Sequence, residues 1–238
     1  MHRIFISDLH LDAIDSPAAL RFAELLHIES QRADEIMILG DLVEMWIGDD
    51  DESELAQWLS KQLRQAAQQC KVSILHGNRD FLFGEDFAVL ANVTLLDLTH
   101  LTEDGTLVCH GDHLCTDDKE YQVKRLEALD PTWQANILAM KLEDRQALGL
   151  AMRSQSKINN ANKAANIMDV NTQAAQEFVS EMGSTLLVHG HTHRPGIHKE
   201  STYTRVVLGA WEQCGWLARQ TDKQLSLECF TLAGRYGT

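Results

Sequence analysis

No apolar stretch in the 238 residues approaches the roughly 18 needed to cross a bilayer, so any membrane association is expected to be peripheral. The start, MHRIFISDLHLD, holds one short apolar run followed at once by acids, and reads as neither a secretory signal nor a transit peptide. Cysteine is sparse. The five that occur (70, 109, 115, 214 and 229) are odd in number and form no Cys-x-x-Cys pair, which suits reduced, structural thiols in a cytosolic chain. Basic residues are the minority, 21 against 35 acidic ones. The formal charge of −14 argues against a nucleic-acid partner, which would need a basic face. Repeats, low-complexity tracts and flexible linkers are missing, and nothing marks an obligate protein partner. What remains, 44% apolar and 24% charged residues, is the composition of an ordinary globular protein long enough to bury a sizeable core.

Six short apolar, largely β-branched runs read as buried strands: RIFIS, EIMIL, VSIL, TLVC, STLLV and YTRVVL. Helical spacing lies between the early ones. Residues 17–31 place Leu20, Ala23, Leu26 and Ile28 among polar neighbours after a Ser16-Pro17 start that suits an N-cap and first turn. Residues 53–69 repeat the pattern with Leu55, Trp58, Leu59, Leu63 and Ala66. Strands alternating with helices predict a layered α/β fold. Residues 119–166 differ: apolar residues fall at helical spacing with no strand candidate. The stretch from Lys119 to Lys163 carries 8 basic and 5 acidic residues, a cationic segment in an anionic chain. The expected division is therefore a core of 1–118 and 167–238 with a helical lid insertion at 119–166.

The strand ends carry the chemistry. RIFIS runs into Asp8 and His10, EIMIL into Gly40-Asp41, VSIL into Gly77-Asn78, TLVC into His110, and STLLV into His189-Gly190-His191-Thr192-His193. In a layered α/β sheet the carboxyl ends of strands form the ligand-binding edge. Histidine has no special turn role, yet four histidines occupy these positions. Mixed carboxylate, imidazole and amide-oxygen donors suit Mn, Fe or Zn better than Ca or Mg, and the lack of cysteine argues against a structural zinc site. The donors exceed what one tetrahedral ion needs. Two ions sharing Asp41 would use them all, supplying an activated water at neutral pH and a clamp for a phosphoryl group.

The blocks Asp8-x-His10, Gly40-Asp41, Gly77-Asn78, His110 and Gly190-His191-x-His193 resemble those of the calcineurin-like metallophosphoesterases. That resemblance implies a four-layered α/β/β/α sandwich. It also implies one metal held by Asp8, His10, Asp41 and His193, and a second by Asp41, Asn78, His110 and His191. Longer blocks (GDLVEMWIGDDD, HGNRDF, HGDHLCTDD, NIMDVN, HGHTHRP and RVVLGAW), running from about Phe5 to Trp211, are similar to the lipid A branch of that family. Members of that branch hydrolyse the diphosphate of UDP-2,3-diacylglucosamine to UMP and lipid X, with metal-activated water attacking the UMP-side phosphorus. Arg79 stands where the superfamily usually has histidine, a departure shared with this branch. A guanidinium is a poor proton donor but well shaped to grip phosphate oxygens.

By the same resemblance, the catalytic set is Asn78, Arg79 and His191. Substrate contacts fall on Asn78, Arg79, Asp118, Ser156, Asn160, Lys163 and His191, and the cofactor is two divalent ions, Mn²⁺ foremost. Arg153 and Lys157 are further candidate contacts. Leu126, Leu129, Trp133, Ile137, Leu138, Met140 and Leu142 are candidates for an acyl surface, though helix packing alone would use the same residues. His76, His189, Asp80 and Asp112 are expected to support ligands through hydrogen bonds rather than bind metal. The resemblance places the chain in the cytoplasm with peripheral contact to inner-membrane lipids. Two other readings stay open: a phosphoesterase acting on nucleotides or phosphoproteins, and a non-catalytic scaffold on the same fold.

Overall fold

The computed structural model describes residues 1–161, 167–222 and 224–237. In chain order the strands are β1 (His2–Ile6), β2 (Glu35–Leu39), β3 (Lys71–Leu75), β4 (Thr94–Leu95), β5 (Thr99–Leu101), β6 (Thr106–Cys109), β7 (Leu186–His189), β8 (Gly196–Lys199), β9 (Thr204–Val207), β10 (Cys214–Thr221) and β11 (Gln224–Thr231). The helices are α1 (Pro17–Glu29), α2 (Glu54–Ala66), α3 (Glu85–Ala91), α4 (Lys119–Ala128), α5 (Pro131–Leu138), α6 (Leu142–Ala161) and α7 (Thr172–Glu181).

One sheet has the order β11-β10-β1-β2-β3-β4 and the other β5-β6-β7-β9-β8. Strands β1 to β4 run parallel, as do β6, β7 and β9, while β5, β8 and the β10–β11 hairpin add antiparallel edges. Side chains alternate across each strand. Phe5, Met37, Leu39 and Leu75 meet Val108, Val188 and Val206 between the sheets. Ile4, Ile6, Ile36, Ile38 and Ile74 point outward to Phe22, Leu25, Leu59, Leu63 and Phe87 of α1 to α3. Leu107, Cys109 and Leu187 face Ala175 and Val179 of α7 on the far side. Burial on both faces explains why these strands read as unbroken apolar runs. The result is the expected α/β/β/α sandwich, with α4 to α6 between β6 and α7.

Ser16 and Ser53 cap α1 and α2 by accepting the amides of Ala19 and Ala56, each at 3.2 Å. Both helices end two to three residues before the periodicity predicts. The amides of Arg32 and Ala33 fold back onto the Glu29 carbonyl at 3.0 and 2.8 Å, closing the turn into β2. All five cysteines are free thiols.

Arg219 on β10 fastens the terminal hairpin to α1. It donates to both oxygens of the buried Glu29 at 2.8 and 3.1 Å, and Tyr236 Oη donates to the same carboxylate at 2.8 Å. Burial pushes Glu29 up, but these bonds and the guanidinium charge outweigh it and hold its carboxyl below the ordinary value. A depressed carboxyl stabilises the fold above its unfolded pKa, and that stability is lost as pH falls through the lower folded value. Arg219→Leu is therefore expected to cost about 3 kcal/mol at neutral pH. It should also lessen the stability lost on acidification below the ordinary glutamate value, measured by calorimetry from about pH 5 downward.

Candidate metal centre and substrate cavity

The carboxyl ends of β1, β2, β3, β6 and β7 meet at one edge of the sandwich, and the loops are laced together by their backbones. The Asp8 amide donates to the Gly40 carbonyl at 3.1 Å, that of His10 to Asp41 at 3.0 Å, and that of Gly190 to His110 at 2.9 Å. Seven non-glycine residues among those described have positive φ, and five are Asp8, His10, Asp41, His191 and His193. This conformation is uncommon for residues with a Cβ and costs free energy wherever it is held. Its concentration on candidate metal ligands marks the site without reference to their chemistry. Glycines permit the close approach: a Cβ on Gly77 would lie 2.2 Å from Asp41 Oδ1, and one on Gly190 would lie 2.2 Å from Asp8 Oδ2.

Two clusters result, one of Asp8, His10 and His193 and one of Asp8, Asp41 and His110. In the first, His193 Nε2 is 3.3 Å from Asp8 Oδ1 and 3.2 Å from His10 Nε2. Asp41 turns its two oxygens to opposite sides: Oδ2 is 4.0 Å from His10 Nε2, and Oδ1 is 3.7 Å from His110 Nε2. His191 and Asn78 adjoin the second cluster, with His191 Nδ1 2.9 Å from Asn78 Oδ1 and 3.3 Å from His110 Nε2. All seven expected ligands are thus brought together. Asp8 is shared between the clusters, which sequence reasoning did not foresee.

Electrostatics follow from this crowding. Burial pushes Asp8 up, but its bond to His193 and the charges of His110, His193 and His10 hold it well below the carboxylate range. Burial pushes His110 down, yet Asp41, Asp8 and Asp112 lift it to about 9. His191 falls to about 3 through burial and the neighbouring His110. Imidazole nitrogens and carboxylate oxygens crowded in this way aim lone pairs at common points, a set that divalent cations would satisfy with the histidines neutral.

Three of the four supporting residues sit behind the cluster and one does not. Asp80, fully buried, accepts the amides of Gly77 (2.7 Å), Leu42 (2.7 Å) and Asp41 (3.3 Å), and so locks the β2 and β3 loops together. Burial and the Asp41 carboxylate raise it to about 7. His76 reaches the Phe83 carbonyl at 3.0 Å. His189 is fully buried behind Gly190 and driven down to about 3 by that burial. Asp112 has a different task from the one expected: it receives Arg125 Nε at 2.6 Å and Tyr121 Oη at 3.3 Å, tying α4 to the core rather than orienting a ligand.

A cavity of about 450 Å³ lies between these loops and α4 to α6. Its floor is Asn78 and Arg79; its walls include Met45, Phe81, Leu129, Trp133, Ile137 and Met152. Of the expected acyl candidates, Leu129, Trp133 and Ile137 line it. Leu126 and Leu138 face outward at 65% and 44% exposure, because helical periodicity divides a 3.6-residue face between packing and solvent. The wall contributed by Met45, Ile47, Phe81 and Leu82 went unforeseen, since those residues sit in blocks read for their polar members. Ser156 lines the cavity, and Asp118 is buried with its carboxylate accepting the Tyr121 amide at 3.1 Å as the N-cap of α4. The Asn160 side chain and the whole of Lys163 lie outside the described residues. The cationic excess of this segment is partly consumed: Arg125, Arg145 and Arg153 pair with Asp112, Asp50 and Glu44 of the core.

A profile described as calcineurin-like phosphoesterase matches residues 1–195. UDP-2,3-diacylglucosamine hydrolase of Chromohalobacter salexigens is 41% identical over 231 residues, covering 93% of this chain and 94% of its own. The protein of the same name from Cellvibrio japonicus is 38% identical over 235 residues, covering 95% and 98%. Among solved structures, Vps29 from Entamoeba histolytica complexed with zinc covers 100% of this chain and 95% of its own at 12% identity, with a TM-score of 0.51, a likeness of fold. The chain belongs to the calcineurin-like phosphoesterase family, in the branch formed with the UDP-2,3-diacylglucosamine hydrolases.

Proposed function

We propose that this protein hydrolyses the diphosphate of UDP-2,3-diacylglucosamine in lipid A biosynthesis, releasing UMP and 2,3-diacylglucosamine 1-phosphate. The observation that carries the reading is the junction at Asn78 and Arg79, where a cavity walled by apolar side chains opens beside a cluster of imidazoles and carboxylates. A lipid-linked diphosphate needs both; a soluble nucleotide or a phosphoprotein needs no apolar cavity of this depth. The names of the near-full-length relatives agree.

Membership in the family implies divalent metal ions, and the donor set fits them. Asp8, His10, Asp41 and His193 would hold one, and Asp41, Asn78, His110 and His191 the other. Manganese is our choice for a mixed oxygen and nitrogen set without thiolates. When bound, such ions acidify water and neutralise phosphoryl charge. The protein's own groups do the rest. Asn78 and Arg79 grip the diphosphate, and Arg79 stabilises charge that develops on the attacked phosphate. His191 faces the substrate, while Asp118 and Ser156, with Asn160 and Lys163, contact the sugar phosphate. Residues 119–166 act as the lid, and their apolar inner faces exclude water around the acyl chains. Attack of water on the UMP-side phosphorus breaks its bond to the bridging oxygen, which leaves with the sugar-side phosphate.

Among the described residues no helix is long and apolar enough to cross a membrane. Val123 and Leu126 are exposed on α4, which also carries Lys124, and Leu150 is exposed on α6; these support peripheral contact with anionic inner-membrane lipid from the cytoplasmic side. Incubation with UDP-2,3-diacylglucosamine in ¹⁸O water tests the reaction. The label is expected in UMP by mass spectrometry; label in the acylated sugar phosphate would overturn the direction of attack, and no turnover would overturn the substrate.

A further inference from the structure

A second cavity, about 440 Å³, opens on the other flank of the metal cluster. It shares Glu44, Arg79 and Arg153 with the first and takes in the exposed edges of His10 and His193. Elsewhere its chemistry differs. Lys157 lies one helical turn beyond Arg153 on the same face of α6, so two cations stand in line on one wall. Asp12 and Glu212 bring carboxylates from the loops after β1 and β9. Trp211 closes the back; its Nε1 is spent on the Trp216 carbonyl at 3.0 Å, so it presents carbon to the cavity.

We infer that this second cavity receives the nucleoside monophosphate half of the substrate, so that the diphosphate lies across the cluster with its acylated half in the first cavity. The inference rests on the hydrolase reading above. Three features of the wall correspond to three parts of such a ligand. Arg79 and Lys157 face a phosphate whose negative charge grows on cleavage, while Arg153 is held by Glu44 between the two cavities. Carboxylates accept hydrogen bonds from a ribose diol, the pairing used by nucleotide-binding folds. An indole wall suits the flat apolar faces of a base. The volume falls within the range of small-ligand sites. The two cavities meet at Glu44, Arg79 and Arg153, beside the cluster.

The test uses the manganese-loaded protein and UMP itself. Calorimetric titration with UMP should show affinity about tenfold weaker for Lys157→Glu than for wild type, while affinity for 2,3-diacylglucosamine 1-phosphate changes less than about twofold. Asp12→Asn, on a separate element, should narrow the preference for UMP over deoxyuridine monophosphate. Photo-crosslinking with 4-thiouridine monophosphate should label peptides holding residues 9–18 or 211–212. Labels confined to residues 126–137, UMP affinity untouched by Lys157→Glu, or no UMP binding at all would each overturn the inference. The lipid reading fails separately: nucleotide binding here without turnover of UDP-2,3-diacylglucosamine leaves the cavity assignment standing and removes that substrate.

Discussion

Replacing Asp41 is expected to lower turnover by at least about 10³-fold, since the ions it would hold supply several kcal/mol of transition-state stabilisation. Its two oxygens face opposite members of the cluster, His10 and His110. Its loss removes a ligand from both sides at once, so metal content, read by elemental analysis, should fall by at least one ion per chain. Alanine alone is an ambiguous probe, because Asp41 sits at φ 52°, where a plain Cβ residue is strained. Asp41→Asn keeps the shape and tolerates the left-handed backbone but loses the negative charge, and should give nearly the same loss of metal and turnover. Wild-type protein stripped by chelation should lose activity and regain it on adding Mn²⁺. Full metal content with near-normal kcat in Asp41→Asn would overturn its place between the ions.

The core was legible because each element carries its own local signal. EIMIL and TLVC are bounded as predicted and VSIL gains only Lys71, since strands covered on both faces need continuous apolar residues. The edge strands were not: THL and GIHK are three and four residues long with half-exposed side chains, too short for a period to register. The terminal LARQTDKQLSLECFTLAG carries only a strand-like pattern, yet residues 218–221 of β10 pair with β1, a non-local contact that no sequence window contains.

The candidate site was legible for a different reason: histidine and aspartate directly after apolar runs have no role in making a turn. What the sequence hid is how charges pair. Arg125, Arg145 and Arg153 belong to a segment whose charge count is cationic, and the fold pairs each with a carboxylate of the core. Asp112 is expected from the sequence to support a ligand through a hydrogen bond and is instead the anchor of α4. Such pairings join residues 13 to 109 positions apart, and a charge count over one segment cannot see them.

Arg79→Ala is expected to lower kcat by about 10² to 10³-fold, the loss seen when a donor to developing oxyanion charge is removed, while leaving metal content unchanged. Its backbone is pinned at both ends: the amide donates to Asp41 Oδ1 at 2.9 Å and the carbonyl accepts from Trp46 at 3.0 Å. Neither bond involves the side chain, so truncation should leave the loop and the ions in place. The side chain stands in the wall of both cavities, and its Nε is buried without a hydrogen-bond partner among the described residues. A buried donor left unpaired costs about 1–3 kcal/mol, a cost removed when a phosphate oxygen arrives. Arg79→Lys restores the charge but not the planar fork, and should recover only part of the loss. The division between kinetic constants is decisive. A group that grips the diphosphate equally in ground and transition states would raise KM and spare kcat, whereas one matched to the transition state lowers kcat with little change in KM. Unchanged kcat in Arg79→Ala with two ions still bound would remove Arg79 from the chemical step.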